Sequence, residues 1–195
     1  SLLTKQRVRL AAFPADYPYT NIFLRKGIAA PDVTRLNLAC APQIALSALQ
    51  QSGAAAENAN VALVSEKTCG EVHSAAHSLA RTVRYLTLRT PDAEALAHAL
   101  RREYGVAAKV LHEGDTVCTD LALSFDATGE GCIALTDEHL ETLYSAEIDG
   151  EICTDAPLLA ALLSVGALRV QDIRLERLIL PEAANMILPA AANFP

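Results

Sequence analysis

The residue types with the most chemical potential stand together in one turn, Ser65-Glu66-Lys67-Thr68-Cys69-Gly70. It follows the apolar run Val61-Ala62-Leu63-Val64 and precedes a helical pattern, a place where backbone N–H groups and a positive helix end receive anions. Aligned on Gly70, the six residues cover the positions of a G-x-G-x-x-G phosphate-binding turn, with Ser65 and Lys67 in place of the first two glycines. Ser65 makes a glycine-type backbone turn less accessible. The Lys67 side chain blocks the usual approach of bare backbone to a pyrophosphate, although an ammonium can itself meet a phosphate, and Glu66 would repel one. Only Gly70, expected to let helix and strand pack closely, remains.

Cys69, His73 and His77 fall at i, i+4 and i+8 on the helix after the turn. Thiolate and imidazole one turn apart can share a zinc ion, or a thiolate at the helix start can be activated by the positive end and His73. No fourth ligand is spaced nearby, so a packed cysteine with two half-exposed histidines, and no metal, is the expectation. Asp115, Asp120 and Asp126 lie near strand ends, where α/β folds place ligand contacts, and turn or cap roles are expected of them. Ser124 to Gly129 follows the fourth strand, on what would be the nicotinamide side of a dinucleotide fold. His98, His112 and His139 are expected on polar surfaces, and Asp137, Glu138 and Glu141 on a solvated helix face. Phe13, Tyr17, Tyr19 and Phe23 mark a partner surface or packing over a sheet edge.

The elements that must hold these residues are legible from periodicity. A helix is expected over Ala41 to Gln51, with Pro42 in its first turn and Gly53 after its end. Strand 61–65 follows, then a helix carrying Val72, Ala75, Ala76 and Leu79 on one face, and strand 83–88. Thr90 and Pro91 are expected to open a helix with Ala93, Leu96, Ala97, Leu100 and Tyr104 in its buried stripe, stopped by Gly105, before strand 106–111. This β-α-β-α-β succession predicts a parallel sheet with right-handed crossovers. A short crossover leads to strands at 120–125 and 132–135. A short helix over 137–143, an edge strand or hairpin around Gly150, an apolar helix over 157–165 and a strand within 170–180 complete the pattern. Arg7 to Phe13 alternates as a strand would.

Half of the 195 residues are apolar and Trp is absent, so a real core packed through small and aliphatic side chains is expected. The net charge of −7 argues against nucleic acid or an anionic membrane as partner. No apolar run approaches the roughly 20 residues that span a bilayer. Ser1 to Lys5 lacks the order of a secretory signal. The five cysteines form no C-x-x-C pair, which suits a reduced, cytoplasmic protein.

Leu88-Arg89-Thr90-Pro91-Asp92-Ala93-Glu94-Ala95-Leu96-Ala97 resembles the NADP-binding domains of the shikimate dehydrogenase and glutamyl-tRNA reductase group, which carry an Asn-Arg-Thr-like turn and a similar helix after their second strand. The resemblance spans about 75 residues, Asn60 to Leu135, and includes the short route from third to fourth strand. It implies that Arg89 and Thr90, 24 and 25 residues after Ser65, hold the 2′-phosphate of NADP. Leu88 stands where that group has Asn. The Lys–Asp pair and the nucleophilic Cys domain of those enzymes have no counterpart here.

The expected architecture is a Rossmann-like three-layer α/β/α fold, mainly parallel, with strand order 3-2-1-4-5. An irregular N-terminal arm and helix (1–59) pack on the domain (60–195) as one compact unit. The expected function is a degenerate nucleotide-fold binding or interaction module, with a homodimer built on its Ala/Leu-rich helices as the candidate assembly. The alternative is an NADP-dependent oxidoreductase, or the cofactor domain of one, in which Ser65, Lys67, Thr68, Gly70, Arg89 and Thr90 contact the nucleotide.

Overall fold

The computed structural model describes residues 11–13, 20–112, 115, 118–126, 131–137 and 140–180. Its helices and strands, in chain order, are α1 (Thr20–Leu24), α2 (Thr34–Ala39), α3 (Ala41–Gln51), β1 (Asn60–Val64), α4 (Gly70–Leu79), β2 (Tyr85–Arg89), α5 (Ala93–Tyr104) and β3 (Lys109–Val110). They continue as β4 (Leu121–Ser124), β5 (Ile133–Ala134), β6 (Glu141–Ile148), β7 (Glu151–Cys153), α6 (Ala156–Ser164) and β8 (Ile173–Ile179). The chain divides into two compact units. One combines the described residues through Leu36 with Leu143–Glu176; the other combines Asn37–Thr142 with the described residues from Arg177 onward.

The second unit is built on a five-stranded sheet of order β3-β2-β1-β4-β5. Every pairing in it is parallel, with β1 in the middle. Val61 lies between Leu86 and Leu121, and Leu63 between Leu88 and Leu123. All of these side chains are buried. Each such apolar side chain stabilises the fold by about 1.5–3 kcal/mol relative to leaving it in water. β3 is shorter than the expected strand 106–111, pairing only through Lys109 and Val110.

Three amphipathic helices pack in a row. α3 lies against β4 and α4, α4 against β1 and α5, and α5 against β2 and β3. The 3.6-residue period predicts their buried residues Ile44, Ala45, Ala48 and Leu49 on α3, and Val72, Ala75, Ala76 and Leu79 on α4; on α5 Ala93, Leu96 and Leu100 are buried, while Ala97 and Tyr104 of the expected stripe are half-buried. Ala62 and Val64 alternate away from Val61 and Leu63 along β1 and join a smaller cluster with Leu111, Ala122 and Cys132. α5 ends at Gly105, whose φ of +71° is the left-handed geometry that favours glycine at a helix end.

The expected helix 137–143 is overturned: Glu141 opens an eight-residue strand, β6. Its Thr, Tyr and Ile suit a pleated surface, and β6 forms an antiparallel hairpin with β7, Ile148 facing Glu151. The two turn residues, Asp149 and Gly150, have φ of +52° and +85°, as a tight hairpin turn demands. β8 flanks β6 on its other side. In the unit that holds Leu143–Glu176, Asp155 caps α6, accepting from Leu158 N–H at 2.8 Å, with Pro157 in the first turn. The expected strand 7–13 falls mostly outside the described residues, as do Tyr17, Tyr19 and His139. Phe13 packs on Phe23 with ring centroids 4.7 Å apart.

Candidate functional site

The β1–α4 turn lies at the carboxyl ends of β1 and β4, where open α/β sheets bind ligands. Ser65 is buried, and its N–H donates to Arg89 O at 2.8 Å, extending the β1–β2 ladder by one residue. Its hydroxyl lies 2.7 Å from Lys67 O and accepts from Lys67 N–H at 3.3 Å. This closes the turn on itself. The Glu66 and Lys67 side chains point to solvent, while their N–H groups converge inward on one point.

A carboxylate of the same chain occupies that point. Asp126 Oδ2 accepts from Glu66 N–H at 2.8 Å and Lys67 N–H at 3.1 Å, and lies 3.0 Å from Ser65 Oγ. The fold brings it there because β1 and β4 pair in register through Val64 and Ser124, and Phe125 N–H continues to Val64 O at 3.0 Å. Successive N–H groups converging in this way form an anion nest. A dinucleotide would lay its pyrophosphate against this part of the turn. Asp126 Oδ1 is buried with no hydrogen-bond partner among the described residues. The sequence signal for this role was only that of an aspartate two residues past a strand. Asp115 plays the expected turn part, accepting from His112 N–H, whereas Asp120 accepts from Asn60 N–H across to the start of β1 and is not a turn or cap residue.

Gly70 needs a correction. It is exposed, and a Cβ placed on it would meet nothing within 4 Å, so it is not the site of a close helix–strand approach. Thr68 is also exposed and stands apart from the Asp126 network.

At the end of β2, Arg89 is half-buried and Thr90 donates from Oγ1 to Asp92 Oδ1 at 2.9 Å. Thr90 does not cap α5 with its side chain; the helix starts at Ala93, after Asp92. The other oxygen of Asp92 meets His73 Nε2 at 2.5 Å. Burial pushes the Asp92 carboxyl up, but hydrogen bonds from His73 and Thr90 outweigh it and hold the group below the usual value of 3.8. His77 Nδ1 lies 3.2 Å from Tyr104 Oη and 3.2 Å from Glu103 Oε2. The two histidines thus turn to separate partners near and on α5. Among the described residues no group of three metal-ligating side chains assembles. Burial pushes the Cys40 thiol up to about 12, and that of Cys132 up to about 11 against the opposing charge of Arg89. Both thiols stay protonated and unreactive at neutral pH.

In the other unit, a small open cleft is lined by Ser145, Ile152, Asp172, Arg174 and Glu176, with the Ser145 hydroxyl bonded to Glu176.

The parallel order β3-β2-β1-β4-β5 with helices following β1 and β2 defines a Rossmann-like α/β protein. No family model matches the chain, and no curated protein matches it. Among solved structures, L-tryptophan dehydrogenase from Nostoc punctiforme is similar at 16% identity and a TM-score of 0.37. The match covers 63% of this chain and 37% of that one, so this chain spans little more than a third of the enzyme's length. Among the described residues, no helix is long and apolar enough to cross a membrane.

Proposed function

We propose that this chain is a Rossmann-like binding or interaction module whose nucleotide-type corners are filled by its own carboxylates. The support is the place of Asp126, whose Oδ2 takes two N–H groups of the first turn at 2.8 and 3.1 Å. A phosphate entering there would be a second anion within about 4 Å of the first, a repulsion of about 4 kcal/mol at an effective dielectric near 20. Asp92 stands in the same way beside Thr90 at the second corner. Calorimetric titration with NADP and with NAD tests the reading: neither should bind, and a micromolar Kd for either sinks it.

The NADP-dependent oxidoreductase, or cofactor domain of one, remains as a second reading because Arg89 ends β2 beside the first turn, joined to it through Ser65 N–H. In that reading Ser65, Lys67, Thr68, Gly70, Arg89 and Thr90 line the nucleotide. It requires NADP to bind more tightly than NAD and the preference to vanish in Arg89→Ala, since a guanidinium gains charge-assisted bonds from a phosphate and little from a hydroxyl.

A further inference from the structure

The turn retains everything an anion site needs except an opening. Its shape is set by Ser65, through the hydroxyl's contacts with both Lys67 O and Lys67 N–H and through the N–H bond to Arg89 O. The same Ser65 hydroxyl also lies 3.0 Å from Asp126 Oδ2, and the Lys67 N–H is shared between Ser65 Oγ and Asp126 Oδ2, so of these bonds the one to Arg89 O is independent of the carboxylate. The donors that meet Asp126 Oδ2 are the N–H groups of Glu66 and Lys67, which any anion of suitable size would satisfy equally well. The Glu66 and Lys67 side chains are both exposed at this turn and carry opposite charges, so neither sign dominates around the donors. The carboxylate comes from 60 and 59 residues away in sequence, and the Ser65 N–H bond to Arg89 O anchors the start of the turn apart from it.

We infer that Asp126 is the specificity-determining residue of this turn, a resident anion that makes an otherwise competent phosphate nest refuse phosphate. This rests on the module reading above and deepens it. The glycine-poor turn alone does not abolish anion binding; the occupant does. With Asp126 removed, the two N–H groups and the Ser65 hydroxyl point at a vacated position that a phosphoryl group fits. Ligands of the wild-type crevice are accordingly those with no phosphate at the β1–α4 turn.

The test is titration of inorganic pyrophosphate into the wild-type chain and into Asp126→Ser, by calorimetry and by amide NMR shifts. Glu151→Ser, in the other compact unit, controls for the change in net charge. Asp126→Ser should bind at least about tenfold more tightly than wild type, with the Glu66 and Lys67 amides moving, while Glu151→Ser behaves as wild type. A folded Asp126→Ser without that gain overturns the inference, and so does an equal gain in Glu151→Ser. If Asp126→Ser does not fold, Asp126→Ala, which also vacates the position, must show the gain instead; its absence overturns the inference. Wild-type binding of NADP at this turn would sink the module reading, whereas an indifferent Asp126 variant sinks only the inference.

Discussion

The two corners at the carboxyl ends of β1 and β2 are both closed by a carboxylate, but in different ways. At the first, Asp126 crosses from the end of β4 and is held chiefly by backbone N–H groups of Glu66 and Lys67. At the second, Asp92 is a near neighbour of Thr90 and is held by side chains, the Thr90 hydroxyl and the His73 ring. Backbone donors survive every substitution except proline and ask only for an anion; side-chain donors are chosen residue by residue and can be lost singly. The first corner therefore keeps its two donors under substitution of the Glu66 and Lys67 side chains by any residue but proline, while the Ser65 hydroxyl closes the turn. The second is an ion-pair network that joins helix α4 to the start of α5.

The largest effect should come from the first corner. Asp126→Ala removes a charged acceptor from two N–H groups and a buried hydroxyl, and should cost about 1–2 kcal/mol in chemical denaturation, because the N–H groups can turn to water. A loss below about 0.5 kcal/mol would mean that the carboxylate merely rests on the turn.

At the second corner, Asp92→Asn should cost at most about 1 kcal/mol, as its ion pair with His73 is partly exposed. Its signature is pH dependence. The folded Asp92 carboxyl lies below its unfolded value of 3.8, so its contribution is complete above that value and is lost as pH falls through the lower, folded one. Stability profiles of wild type and Asp92→Asn should therefore converge below pH 3.8. Parallel profiles down to full protonation would show that the contact with His73 is not maintained in solution.

The smallest effect separates two glycines. Gly70→Ala meets open space at an ordinary φ and should change stability by no more than a few tenths of a kcal/mol, or raise it. Gly105→Ala, at φ +71°, should cost about 1 kcal/mol. A Gly70→Ala loss as large as that at Gly105 would restore the close-packing role that the fingerprint assigns it.

What the sequence determined by itself is the Rossmann-like frame. The stripes of α3, α4 and α5, the apolar cores of β1, β2 and β4, and the order β3-β2-β1-β4-β5 all follow from local periodicity plus the handedness of parallel crossovers. What tertiary structure decided lies where partners are distant or local preferences are balanced. Glu141 to Leu143 reads as the end of a short helix and Ser145 to Ile152 as an edge strand or hairpin, and the fold instead makes Glu141 to Ile148 one strand between β7 and β8. Gly70 looks like a packing glycine by its spacing, yet the residue stands in open space. Asp126, one of three strand-end aspartates in the sequence, differs from the others only because register between β1 and β4 sets it against two N–H groups 60 and 59 residues away. A nest is made by backbone direction, which no residue type records, so its occupant appears only when the strands are paired.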